Sequence, residues 1–181
     1  MKTLILITAS LLTYSAAASC YKYDNDAVIS WVAFKTPEKV GVGGEFKKFT
    51  ITPKKNSSSL KDLMEGATLS IDTSSVHTKN VARDKKIVGN FFKDVTMKGK
   101  VTKLKKTTIE LDLVINNKKV MVPMKYTLKD NKLSAKATID VFDFLLHDNL
   151  KAINKACYAL HEGKTWNDVE IALVANFKPC K

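Results

Sequence analysis

Apolar and polar residues alternate along much of the chain. Residues 107–128 contain two such runs, separated by Asn-Asn-Lys-Lys. Their apolar positions are Ile109, Leu111, Leu113 and Ile115, then Val120, Val122, Met124, Tyr126 and Leu128. A period of two is typical of a β-strand with one face toward the interior and one toward water. Residues 107–128 are therefore predicted to form two strands whose apolar faces must be covered.

The same alternation predicts strands on both sides of this segment. They are predicted in residues 28–36, 39–52, 67–76, 95–106, 132–144 and 166–177. With the two runs above, about eight strands are expected, and long consecutive strands favour antiparallel pairing. Within the second strand, Gly41, Gly43 and Gly44 predict a bulge or a strong bend.

Helical signals are fewer. A short helical turn is predicted at residues 60–64, and residues 80–92 are predicted to form a helical turn that joins two strands. One full helix is predicted near the C-terminus, begun by Asp148 as a cap and followed by Gly163. Its apolar face holds Leu150, Ile153, Cys157 and Leu160. One helix is too little to cover eight apolar strand faces, so the strands must face one another in a closed barrel or a two-sheet sandwich.

The first 19 residues have the layout of a secretory signal peptide: one lysine, a short apolar run and small residues before Cys20. Cleavage is expected near Ala18 or Ser19, and residues 20–181 are predicted to be one exported domain. The alternative for Cys20 is a lipid anchor, although Ala17 stands where a lipobox favours leucine.

The cysteines fit export. Cys20 and Cys180 bracket the domain, and they become neighbours if the first and last strands pair. A Cys20–Cys180 disulfide is therefore predicted. Cys157 is predicted to be a small, buried apolar side chain of the helix.

The formal net charge of +12 usually indicates a nucleic-acid partner, but export argues against one. Two other interpretations stay open. Scattered lysine pairs are typical of solvated turns and protected sheet edges. A basic surface also favours transient contact with an anionic membrane.

No enzyme motif is found in the sequence. The histidines are His77, His147 and His161, and none has metal-ligand spacing with another. Ser74 and Ser75 lie near His77 and Asp84, but turn chemistry explains these residues better than catalysis. Arg83 and Asp84 are predicted to be a structural pair or a helix anchor. No catalytic residue, metal site or cofactor is predicted.

Several segments, in this order along the chain, resemble the YceI-like lipid/polyisoprenoid-binding family. They are SWVAFKT with GVGGEFKKFTI, then LSIDTSSVHTKNVARDKKIVGNFF, VPMKYTLKDNKLSAKATIDVFDF and NDVEIALVANF, and SIDTSSVHTKNVARD is the most specific part. The resemblance covers about residues 21–178, and Val141 stands where an arginine is common in the family. It implies an extended lipocalin-like antiparallel β-barrel in the bacterial periplasm, with the helix packed on or over it. It also implies that an isoprenoid or other long-chain amphiphile is held inside.

The apolar positions of the strands and of the turns beside them predict the residues that would line such an interior. They are Val32, Phe34, Phe46, Leu69, Ile71, Phe91, Phe92, Leu111, Leu113, Val122, Met124, Ile139, Phe142, Phe144, Ile171 and Leu173. Phe91, Phe92, Phe142 and Phe144 are expected either at a rim or in a small core under the helix. The rival function is a ligand-free structural or stress-related module with a filled core and an active basic surface. A continuous apolar void of several hundred cubic ångströms would favour the carrier. No oligomeric state is predicted.

Overall fold

A computed structural model describes residues 20–54 and 57–180. The signal peptide predicted in residues 1–19 lies outside these residues. Within them, ten strands form one antiparallel sheet in the order β3-β4-β6-β7-β8-β9-β10-β1-β2-β5. The strands are β1 (Tyr21–Lys35), β2 (Val40–Phe46), β3 (Phe49–Thr52), β4 (Thr68–Ile71), β5 (Val76–His77), β6 (Met97–Leu104), β7 (Thr108–Ile115), β8 (Lys118–Lys129), β9 (Lys132–Asp140) and β10 (Thr165–Pro179).

The sheet closes on itself because two pairs of short strands are continuous along the chain. β2 and β3 are one strand interrupted at Lys47 and Lys48, and β4 and β5 flank the 3₁₀ turn Thr73–Ser75. β2 pairs with β1 and with β5, while β3 pairs with β4, which pairs with β6. The result is a ring of eight strand positions, which confirms the predicted antiparallel barrel.

The glycines of β2 do not cause a bulge, so the bulge alternative of that prediction was wrong. β1 and β2 pair without a register shift from Ile29↔Phe46 to Lys35↔Val40. The register shifts lie elsewhere, at two places between β1 and β10 and at one between β6 and β7.

Three helices accompany the barrel: α1 (Leu60–Met64), α2 (Val81–Asn90) and α3 (His147–Ala156). α1 coincides with its prediction, but α2 is a helix of 10 residues where only a connecting turn was expected. The Asn80 side chain caps α2 by accepting a hydrogen bond from the Arg83 amide at 3.0 Å. None of the residues of α2 is fully buried, and this weak amphipathic pattern explains why the sequence underestimated it.

The start and end of α3 also differ from the sequence interpretation. Its N-cap is Leu146, which makes no side-chain capping bond, and Asp148 lies in the first turn instead. Phe144 and Leu146 are each 1% exposed and anchor the start of the helix in the core. After α3 the chain forms a 3₁₀ turn at Tyr158–His161, and Gly163 follows that turn rather than the helix.

The helices cover opposite ends of the barrel. α1 contacts β1 and β6, so it crosses one end, here called the α1 end. α2 and α3 pack against each other, α2 also touching β5 and α3 touching β10. They lie over the other end, here called the α2–α3 end.

The chain termini meet at the α1 end. Tyr21 of β1 pairs with Pro179 of β10, and a disulfide joins Cys20 to Cys180 with a Cα–Cα distance of 5.3 Å. A cysteine in this bond has no thiol left to carry a lipid, so the disulfide and the lipid anchor exclude each other. Cys157 is free and buried.

Candidate functional site

The barrel encloses one large cavity of about 800 Å³ within the described part of the chain. Its wall is formed by the inward faces of the strands, and the helices lie over its two ends. Ile109, Leu111, Leu113 and Ile115 of β7 are all buried and lie on this wall, which confirms the alternation of this run. Inward residues of β10, such as Ile171 and Leu173, are only half-buried because they face empty space.

Twelve of the sixteen nominated residues lie on the cavity wall. They are Phe34, Phe46, Leu69, Ile71, Phe91, Phe92, Leu111, Leu113, Met124, Ile139, Ile171 and Leu173. Val32, Val122, Phe142 and Phe144 do not lie on it. The structure thus brings most of the set together around one space, although no ligand contact follows from placement alone.

Val32 does not line the cavity because the other set of alternating residues in β1 faces inward. Ile29, Trp31 and Ala33 face the cavity, whereas Val32 lies over Gly41, where an added Cβ would be 3.1 Å from its Cγ1 atom. Both faces of β1 are apolar, so alternation alone left the phase open. Phe34 lies at the end of the strand and still borders the cavity.

The four phenylalanines near turns divide into two pairs. Phe91 and Phe92 follow α2 and line the cavity, and the Phe92 ring packs edge-on against Phe46 at a centroid distance of 5.5 Å. Phe144 is buried at the base of α3, and Phe142 stacks on His147 at 4.1 Å. One pair therefore borders the cavity, and the other lies beside the start of α3. Val122 is buried but covered by its neighbours.

Trp31 and Trp166 both lie on the wall and were both missed by the sequence interpretation, and Trp31 is the one held within the barrel by a neighbouring strand. It pairs across the strands with Gly44, and a Cβ built on Gly44 would lie 2.3 Å from Cζ2 of the indole. The glycine therefore makes room for the ring. The glycine in β2 was the sequence signal that could have identified Trp31, because a glycine within a strand often marks a place where a neighbouring group packs closely. The Trp31 Nε1 atom is buried and has no hydrogen-bond acceptor among the described residues.

The cavity opens at the α2–α3 end. Most of its exposed wall residues lie there, among them Val40, Ala82, Arg83, Lys86 and Leu160, whereas exposed Gly43 lies within β2 and exposed Thr68 lies toward the α1 end. The charged wall residues are at the α2–α3 end too, and they are Lys35, Arg83 and Lys86. No aspartate or glutamate is among the described residues of the wall. We call this region, with His161 and Thr165, the mouth.

Hydrogen bonds hold the mouth in place around the turn that follows α3. Lys35 Nζ donates to the Leu160 carbonyl at 3.1 Å, and Lys86 Nζ donates to the Ala156 carbonyl at 3.4 Å. The Thr165 hydroxyl donates to Asn154 Oδ1 at 3.0 Å. Both ammonium groups are therefore directed to one short stretch of chain.

His161 has a favoured tautomer as a result. Its Nδ1 atom lies 2.7 Å from Thr165 Oγ1, whose proton is already donated to Asn154. This arrangement favours the tautomer that carries its proton on Nδ1. Burial, followed by the nearby Lys35 and Lys86 charges, lowers the pKa of His161 below its usual value. The neutral imidazole is favoured at the mouth.

The α1 end is closed by apolar side chains. Met64 of α1, Ala67 and Pro53 border the cavity there. Tyr23 and Phe177 form a tilted aromatic pair at a centroid distance of 6.1 Å on the two paired terminal strands. Burial raises the pKa of the Tyr23 phenol, with a smaller contribution from the Asp26 charge.

The histidine–aspartate–serine arrangement considered from the sequence does not form a nucleophilic set. His77 Nδ1 lies 3.9 Å from Asp84 Oδ2, but the Ser74 hydroxyl donates to Asp72 Oδ1 and the Ser75 hydroxyl to the Asp72 carbonyl, each at 2.6 Å. The amide and hydroxyl of Thr78 donate to Asp84. Asp84 is thus the helix anchor that was predicted, and the serines stabilise a turn.

Within residues 20–54 and 57–180, histidine, cysteine and carboxylate side chains are not grouped in a way that would hold a metal ion. The helices in the same ranges are too short or too polar to cross a bilayer.

Solved structures with the same fold come from several bacteria. A polyisoprenoid-binding domain from Saccharophagus degradans, implicated in plant cell wall breakdown, has 13% identity and a TM-score of 0.64, covering 91% of this chain and 100% of its own. BcnA of Burkholderia cenocepacia has 15% identity and a TM-score of 0.58, covering 84% and 96%. A mutant Campylobacter jejuni YceI protein has 16% identity and a TM-score of 0.56, covering 97% and 99%.

At these identities, the structural likeness establishes the fold alone. No curated protein matches the sequence significantly. The model of the YceI-like domain matches residues 23–177, which is most of the chain and nearly all of the barrel. The protein therefore belongs to the YceI-like domain family.

Proposed function

We propose that this protein is an exported carrier that binds a long apolar or isoprenoid chain inside the barrel. The observation that carries the proposal is the apolar cavity of about 800 Å³, which lies in the size range of ligand pockets. A filled core would leave no such space, because protein interiors pack nearly as densely as crystals. The similar domain from Saccharophagus degradans is a polyisoprenoid-binding domain, which supports the same class of ligand here.

The wall chemistry supports this mechanism. Each ligand methylene moved from water to an apolar wall contributes about 0.8 kcal/mol. A chain of about ten methylenes therefore contributes roughly 8 kcal/mol before the entropic cost of association is subtracted. Binding is reversible, and the polar end of the ligand stays at the mouth.

We further infer that loading takes place from a membrane surface in the periplasm. Large apolar side chains are exposed around the mouth, including Val40 at 48%, Leu160 at 63%, Tyr158 and Val81. The net positive charge of the chain favours anionic lipids. The protein is expected to co-sediment strongly with phosphatidylglycerol vesicles and weakly with phosphatidylcholine vesicles. Leu160→Asp should weaken co-sedimentation with the phosphatidylglycerol vesicles. Equal sedimentation of Leu160→Asp and the parent protein would contradict docking through the mouth.

The rival is a module that works through its basic surface without a ligand. The same positive charge favours it, whereas the cavity does not. The decisive measurement is native mass spectrometry of protein prepared without detergent, followed by organic extraction. A stoichiometric lipid adduct is expected.

A pair of variants on adjacent residues tests where the adduct lies. Leu173→Trp adds a large ring to the cavity wall, whereas Val174→Trp adds the same ring to the other face of β10. The adduct should be lost in Leu173→Trp and kept in Val174→Trp. A ligand-free mass in the parent protein that isoprenoids and fatty acids leave unchanged would favour the rival.

A further inference from the structure

We propose that the bound amphiphile ends in an anionic group, a phosphate or a carboxylate, which rests at the mouth against Lys35, Arg83 and Lys86. The proposal rests on the proposed function and narrows its ligand class. Neutral amphiphiles such as long-chain alcohols have the same tails, and only the end of the molecule distinguishes them. The mouth is the part of the cavity that meets that end.

The first support is the distribution of charge along the cavity wall. Three of its described residues carry a full charge, all three are positive, and all three lie at the mouth. The rest of the wall is almost entirely apolar as far as the α1 end. An amphiphile with an apolar tail and an anionic end matches this distribution in one orientation, with its tail toward α1.

The second support is that these cations have no acidic partner. Five lysines elsewhere in the described residues do have a carboxylate partner, as Lys39 has Asp168 at 2.6 Å. Among the described residues, no carboxylate lies within 4.0 Å of the Lys35, Arg83 or Lys86 side chain. Asp84, next to Arg83 in sequence, instead accepts hydrogen bonds from Thr78. The positive charge at the mouth is therefore left for a ligand to neutralise.

The third support is that the cations converge. The Lys35 and Lys86 ammonium groups each donate to a carbonyl of the stretch 156–160, and both lie close enough to His161 to lower its pKa. An ammonium group has three donors, so each lysine keeps two for an anion. Beside an apolar wall, such charge-assisted bonds are stronger than in bulk water. A neutral end group would leave the like charges uncompensated.

The test compares two ligands that share one hydrocarbon chain, geranylgeranyl monophosphate and geranylgeraniol, by calorimetric titration. Palmitate and hexadecanol form a second pair, which separates carboxylate from phosphate. The mouth variant Lys35→Met/Lys86→Met removes two charges and keeps apolar stems. Its matched control, Lys98→Met/Lys100→Met, removes two charges from exposed residues of β6 that do not line the cavity.

The parent protein should bind at least one anionic ligand about tenfold more tightly than its alcohol. The mouth variant should lose most of this preference while its affinity for the alcohol stays nearly unchanged, and the control should keep the preference. If each anionic ligand binds with the same affinity as its alcohol, the anionic end group is overturned and the carrier stands. The same conclusion follows if the mouth variant loses as much affinity for the alcohol as for the anionic ligand. If none of the four ligands binds, the carrier and the end group both fail. Inorganic phosphate alone should not displace the amphiphile, and displacement at millimolar concentration would indicate a site for free anions instead.

Discussion

The two ends of the barrel are built for different purposes. At the α1 end, a disulfide joins the chain termini, α1 crosses the opening, and Leu63 of that helix is fully buried. At the α2–α3 end, the covering helix α2 has no fully buried residue, and the wall carries three lysine or arginine side chains without carboxylate partners among the described residues. The contacts at the α1 end stabilise the fold, whereas charged groups at the α2–α3 end are left without carboxylate partners among the described residues.

This difference teaches where to look for function in a barrel with no catalytic motif. Residues that bind ligands are commonly held on the less stable parts of a rigid scaffold. A ligand that enters one end needs the opposite end to stay closed, or the cavity becomes a channel. The asymmetry therefore predicts that equal substitutions at the two ends have unequal effects.

The largest effect is expected from removing the disulfide at the α1 end. The bond links residues 160 positions apart, and a native disulfide that closes so long a loop contributes about 2–5 kcal/mol. Cys20→Ser/Cys180→Ser should lower the free energy of unfolding by that amount in urea titrations. Cys157→Ala, at the free buried cysteine that caps the C-terminus of α3, is the control and should lower it less. Equal losses would contradict the special role of the closed end.

A leucine at each end gives a direct comparison. Leu63 of α1 is 0% exposed, whereas Leu160 at the mouth is 63% exposed. Leu63→Ala leaves a cavity in a packed region and should lower the free energy of unfolding by about 2–5 kcal/mol. Leu160→Ala should change it by less than about 0.5 kcal/mol. Similar losses in the two variants would show that the ends are equally packed.

The wall between the two ends is tested by two neighbouring glycines. A Cβ at Gly44 would overlap the Trp31 ring at 2.3 Å, while a Cβ at Gly43 comes no closer than 3.8 Å to the nearest described atom. Gly44→Ala should therefore lower the unfolding free energy by about 1–3 kcal/mol and displace the indole, with a change in tryptophan fluorescence. Gly43→Ala should leave the fluorescence unchanged. Matching spectra for both variants would mean that the ring does not need the glycine.

Much of the barrel follows from the sequence because alternation is a local signal. In β7 every second residue is apolar and the residues between them are mostly polar, so both the strand and its inward face were predicted correctly. β1 shows the limit. Val32 and Trp31 lie on opposite faces that are both apolar, and only the cross-strand partner Gly44 decides between them.

The mouth was the part least accessible from sequence. Lys35, Lys86 and His161 lie far apart along the chain, and each belongs to a different element. Nothing in their local pattern distinguishes them from the many solvated lysines. They become a site only when ring closure brings the end of β1, α2 and the turn after α3 together, and that is a property of tertiary structure.

The smallest predicted effect is a pH dependence that comes from the mouth. The His161 pKa is lowered in the folded protein from an ordinary value of 6.5, so the unfolded chain binds the proton more readily. Stability is therefore full above pH 6.5 and declines as the pH falls from 6.5 through the lowered pKa of the folded state. His161→Gln keeps a donor for Thr165 but cannot titrate, and it should remove this part of the acid-dependent decline in thermal midpoint. His77→Gln, at a histidine whose side chain is 44% exposed, is the control and should keep it. An unchanged decline in His161→Gln would mean that neither burial nor the charges at the mouth lower the pKa of the imidazole, and the contrast between the two ends would then rest on packing alone.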